Sequence, residues 1–119
     1  MVKFGTVEYY NQIADFLNKD ETFSKSNLST TFAFIFSDLQ KAILLNIEGG
    51  KITNVSDASP DVATEFSSTG TYDILAGIAK GELNQFKAKA KVNMVKALKN
   101  RAALERISEA MKQAKDVNY

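Results

Sequence analysis

Residues 72–98, YDILAGIAKGELNQFKAKAKVNMVKAL, change their hydrophobic period twice. Ile74, Leu75 and Ile78 keep the three- and four-residue spacing of an amphipathic helix, up to a break at Gly81–Asn84. Phe86, Ala88, Ala90 and Val92 then alternate with Lys87, Lys89 and Lys91, which is the period of a half-buried strand. Helical spacing returns at Met94. A helix, an edge strand and a helix in direct succession predict a sheet covered by helices. No catalytic pattern runs through the stretch, so it points to a binding cavity between layers.

Upstream, residues 62–68 read as a fourth strand with Val62, Thr64 and Phe66 inward. TTFAFIFS, residues 30–37, puts Phe32, Phe34 and Phe36 on one face and Ala33 and Ile35 on the other, as a central strand requires. KAILLNIE, residues 41–48, is the second strand. Gly49–Gly50 makes a two-residue hairpin into a weaker third strand over residues 51–55. SDASP, residues 56–60, is a turn holding the only proline. Val7, Tyr10, Ile13, Ala14 and Leu17 predict a first helix over residues 6–18, capped by Thr6. Residues 19–29 read as a polar connection anchored by Phe23 and Leu28. Thr71 or Thr69 caps the helix that opens the quoted stretch, and Gly81 closes it. Downstream, Asn93 caps a stripe of Met94, Leu98, Ala102, Leu104, Ile107 and Met111, bent near Asn100. The final KDVNY is expected to fray. The order predicts an α+β fold: one domain over residues 1–119, with a five-stranded, mostly antiparallel sheet and helices on one face.

The chain has 119 residues, 15 basic and 14 acidic, for a net charge of +1. That balance argues against nucleic acid as a partner, since counterion-driven binding needs a basic excess. There is no cysteine and no histidine, so the thiolate nucleophile, the commonest general base and the commonest zinc ligands are all missing. The residues after Met1 mix charged and apolar side chains, unlike a signal peptide, and no apolar run approaches the ~20 residues of a membrane span. A cytoplasmic protein is the expectation.

Asp57 and Asp61 flank Ser59–Pro60, but two carboxylates without a third ligand read as ordinary turn residues, and no metal is expected. Neither glycine pair has phosphate-loop spacing, so no cofactor is expected either. The lysine row Lys87, Lys89 and Lys91, continued by Lys96, Lys99 and Arg101, reads first as a solvated strand face that blocks edge pairing. It also leaves open a transient contact with an anionic membrane surface.

FAFIFSD, KAILLNIEGGK, YDILAGIAKGELN and KAKVNMVKALK, in that order and spacing, resemble the sterol-carrier-protein family, over residues 30–103. Single motifs are soft; their succession carries the likeness. The resemblance implies a hydrophobic tunnel between sheet and helices that takes fatty acids, fatty acyl-CoA, sterols or phospholipids, with no catalytic residue. Two features depart from the family: residues 81–86 form a short connection, and a tryptophan common near the second strand is absent. The expected lining is Phe34, Phe36, Leu45, Ile47 and Phe66 from the sheet, with Ile74, Ile78, Phe86, Met94, Leu98, Ile107 and Met111 around it. The helix from Leu104 to Met111 is expected to act as a lid. The expected function is non-catalytic lipid binding or transfer, with the oligomeric state left open. The alternative is a protein-interaction or scaffold module of the same fold with a filled core. An enzyme would regain weight if Tyr72 and Asp73 faced the cavity.

Overall fold

Phe32, Phe34 and Phe36 alternate along β2, Thr30–Phe36, and drive their rings into the layer beneath the helices. The computed structural model describes residues 1–119. β3, Lys41–Glu48, pairs antiparallel with β2, so Leu45 lies opposite Phe32 and Ile43 opposite Phe34. The turn into β4, Lys51–Ala58, has positive φ at both Gly49 and Gly50, as a type I′ hairpin demands. A side chain at Gly50 would strike the Ser24 carbonyl, so the hairpin tip also needs glycine to nest against the chain before β2. β5, Phe66–Gly70, runs parallel to β2 on its other side, and β6, Lys89–Lys91, closes that edge antiparallel to β5. The sheet order is β4-β3-β2-β5-β6.

The helices lie over the phenylalanine face. α1, Val7–Asn18, is capped by Thr6 and buries Tyr9, Tyr10, Ile13, Ala14 and Leu17. α3, Tyr72–Ala79, is capped by Thr71. The expected stripe from Met94 onward is two helices, α4, Met94–Lys99, and α5, Arg101–Gln113, which meet at Asn100. α5 faces the core with Ala103, Ile107, Ala110 and Met111; the helical register takes Ala103 inward where Ala102 was expected.

Four expectations are corrected. Residues 19–29 contain a helix, α2, Glu21–Lys25, because Asp20 caps it through the Phe23 amide at 2.9 Å; Phe23 and Leu28 are buried as expected. β4 runs on to Ala58, three residues beyond Val55 and into the expected turn, with each of residues 55–58 paired to β3 beyond a bulge at Thr53. β5 begins at Phe66 and not at Val62, because the Thr31 hydroxyl takes the Glu65 amide at 3.0 Å in place of a ladder partner. The last residues do not fray: β7, Val117–Asn118, pairs in parallel with β1, Val2–Lys3, through Val2 N–H to Asp116 and Phe4 N–H to Asn118, both 2.9 Å.

Candidate functional site

The layer between sheet and helices is continuous, apolar and rich in aromatic rings. The Tyr10 ring stacks on Phe34 with centroids 4.7 Å apart, Phe34 on Phe32 at 4.9 Å, and Phe32 on Phe66 at 5.9 Å. A second group gathers on Phe4, which meets Tyr9, Phe36, Tyr72 and Tyr119. Of the expected lining, Phe34, Phe36, Leu45, Ile47 and Phe66 from the sheet and Ile107 and Met111 from α5 are buried here. Ile74 and Ile78 are half-buried against the same core.

The structure places the other three outside. Phe86 is 85% exposed, Met94 62% and Leu98 76%. The cause for Phe86 is local. Asn84 accepts the Phe86 amide at 2.8 Å and winds Gln85–Lys87 into a 3-10 turn, so the strand expected from Phe86 shrinks to three residues. For Met94 and Leu98 the cause is the side on which α4 is held. Glu65 receives Lys96 Nζ at 2.7 Å and Asn93 Nδ2 at 2.9 Å, and Lys96 also reaches the Ser29 carbonyl at 2.8 Å. The polar side of α4 therefore faces the body of the protein and its apolar side faces out.

Sequence periodicity did not single out Tyr9, whose side chain is wholly buried. The hydroxyls of Tyr9 and Tyr10 are both buried and have no hydrogen-bond partner. Burial pushes both phenols far up, helped by Tyr119 beside Tyr9 and by Tyr9 beside Tyr10, so both stay protonated donors. The only sequence signal for this pair is two adjacent tyrosines at the head of an apolar helix stripe. Tyr72 and Asp73 do not form a polar cluster in the layer: the Tyr72 hydroxyl donates to the Phe4 carbonyl at 3.3 Å and Asp73 is exposed.

Clefts also lie on the outside. One of about 530 Å³ is bounded largely by polar residues, among them Glu8, Asn11, Asp15 and Asp116. One of about 220 Å³ lies between α1 and α5, with Ile13, Phe16, Ala110 and Ala114 on its walls. Side chains fill the layer itself around Tyr10 and Phe36, both with no exposed surface. α5 is fastened at one point by Arg106, whose guanidinium meets the Asp20 carboxylate at 2.7 Å. No helix is long and apolar enough to cross a membrane.

No protein-family model and no curated protein matches the chain. Solved structures do. A crystal structure of sterol carrier protein 2 superposes with a TM-score of 0.75 at 11% identity, covering 92% of this chain and 97% of that one. A solution structure from Thermus thermophilus, described as possibly a sterol carrier protein, gives 0.70 at 12% identity over 91% of this chain and 87% of that one. The stereoselective inverting sec-alkylsulfatase Pisa1 from Pseudomonas sp. gives 0.54 at 17% identity, with 86% of this chain matched to 16% of that enzyme. The helix-covered, five-stranded architecture of this chain is the sterol-carrier-protein fold.

Proposed function

We propose that this protein binds an elongated apolar lipid between its sheet and its helices and carries it without chemical change. The observation that supports this most is the match to sterol carrier protein 2 along almost the full length of both chains. The layer suits such a cargo. Its walls are aliphatic and aromatic, and each methylene moved from water into them contributes about 0.8 kcal/mol. The orphan hydroxyl of Tyr10 offers a donor to the polar end of a fatty acid or sterol inside an otherwise apolar space. Because side chains fill the layer, entry requires an element to lift. α5 is the candidate: two of its four buried contacts are alanines, and the 220 Å³ cleft already separates it from α1 at one end.

The packed layer is also the specific observation that favours the second reading, a scaffold or protein-interaction module of the same fold with a filled core. Native mass spectrometry of protein purified from its own host, with titration of a fluorescent fatty acid, separates the two. The lipid reading expects a co-purified lipid or saturable fatty-acid binding, with faster amide exchange in α5 than in β2. Failure of both binding measurements overturns it.

A further inference from the structure

From Lys80 to Ala102 a single residue, Ala88, is buried. Most of the exposed large apolar side chains of the molecule fall in this one stretch, which forms the β6 edge of the sheet and the α4 helix beyond it. Leu83–Asn100 also carries five lysines and no acidic residue, so the rest of the chain is net acidic. Lys96 is engaged by Glu65; Lys87, Lys89, Lys91 and Lys99 are exposed and make no ion pair. On α4 the arrangement is fixed and inverted. Glu65 and Ser29 hold the polar side inward, and Met94 and Val95 stand on the outside with Leu98 one turn after them and Lys99 one turn after Val95.

We propose that the edge from Phe86 to Lys99 docks this protein on an anionic phospholipid bilayer. Apolar side chains among lysines with long flexible stems are what an interfacial segment needs: the former enter the headgroup–acyl boundary, and the latter reach the phosphates. The uncompensated positive charge of the strip selects an anionic surface, where each lysine adds attraction that decays within a Debye length. The same charge disfavours a second copy as the occupant, because pairing two β6 edges would set Lys89 and Lys91 against their own kind. This surface stands apart from the lipid layer and requires no cargo in it.

Co-sedimentation with sucrose-loaded vesicles tests it, using phosphatidylcholine alone and phosphatidylcholine with about 30 mol% phosphatidylserine. Binding to the anionic vesicles only is expected, falling as salt is raised from about 0.1 to about 0.5 M. Neutralising Lys87, Lys89 and Lys91 together to Gln lowers the partition coefficient about fivefold per lysine, or about a hundredfold in all. Leu98→Ser lowers it about tenfold by removing an inserted side chain. Lys19→Gln, away from the strip, leaves it unchanged. Thermal midpoints confirm that each variant is folded, and the three exposed lysines carry the test if Leu98→Ser is not. Equal binding to both vesicle types, no binding, or indifference to the lysine substitutions overturns the proposal, as does a dimer in analytical ultracentrifugation that those substitutions dissolve. A fluorescent fatty acid without vesicles reads cargo binding separately, so docking and cargo binding can fail independently.

Discussion

Tyr10 and Glu65 show how much a single polar group decides. Tyr10 has no exposed surface and its hydroxyl has no partner, so the folded protein bears the desolvation of that group without compensation. Tyr10→Phe is expected to raise stability in urea by about 1 kcal/mol and to weaken fatty-acid binding; a loss of stability would mean that the hydroxyl has a partner after all. Glu65 is the reverse case. Its carboxylate takes Lys96, then the Thr30 hydroxyl at 2.7 Å and Asn93, and these hold its pKa down from an ordinary 4.5 to about 2. A carboxylate with a depressed folded pKa stabilises above its unfolded pKa, and that support drains away as pH falls through the folded value. The fastening of α4 is therefore expected to hold at pH 5 and above and to fade from about pH 4 toward about pH 2. Hydrogen exchange at residues 94–99 measures it, and Glu65→Gln should show the faster exchange already at neutral pH. Hydrophobic spacing made Tyr10 legible as a core residue. It carried no sign of where the hydroxyl goes, nor that Glu65 gathers three partners from distant parts of the chain.

At the level of elements, Asp20 does two jobs that substitution can separate. It caps α2 through the Phe23 amide and it grips Arg106 of α5; both hold its carboxyl below the usual range, the amide more than the guanidinium. Asp20→Asn keeps an oxygen for the cap and loses the ion pair, whereas Asp20→Ala loses both. Urea unfolding should place Asn between wild type and Ala, with Ala about 1–2 kcal/mol below wild type. If the two variants are equal, the contact with Arg106 contributes nothing. Elements with a sustained period were legible in sequence: α1, β2, β3 and α3 lie where their apolar spacing puts them. Elements set by side-chain-to-backbone bonds were not. The alternation Phe86–Val92 is a strand pattern in full, yet the Asn84 carboxamide winds its first part into a turn. That turn carries Phe86 outward, and for Met94 and Leu98 the spacing says which side chains share a face while the hydrogen bonds of Glu65 decide which way that face looks.

Across the whole molecule, the chain ends are structural. Tyr119 packs on Phe4 with ring centroids 5.4 Å apart, and Phe4 is the hub of the aromatic group under α1 and α3. Tyr119→Ala is expected to cost about 1–2 kcal/mol, read as a lower thermal midpoint; no change would show that the contact is incidental. The pairing of β1 with β7 escaped the sequence reading because two-residue strands carry no period, and the polar KDVNY matches the composition of a loose tail. The direction of that pairing has a mechanical consequence. β1 and β7 are parallel, so a force drawing the two ends of the chain apart slides one strand along the other. Their hydrogen bonds are loaded together in shear and cannot be peeled in turn. The join between the termini should therefore resist pulling in an optical trap far better than its two short strands suggest, and it should give way as one event before the main sheet is disturbed.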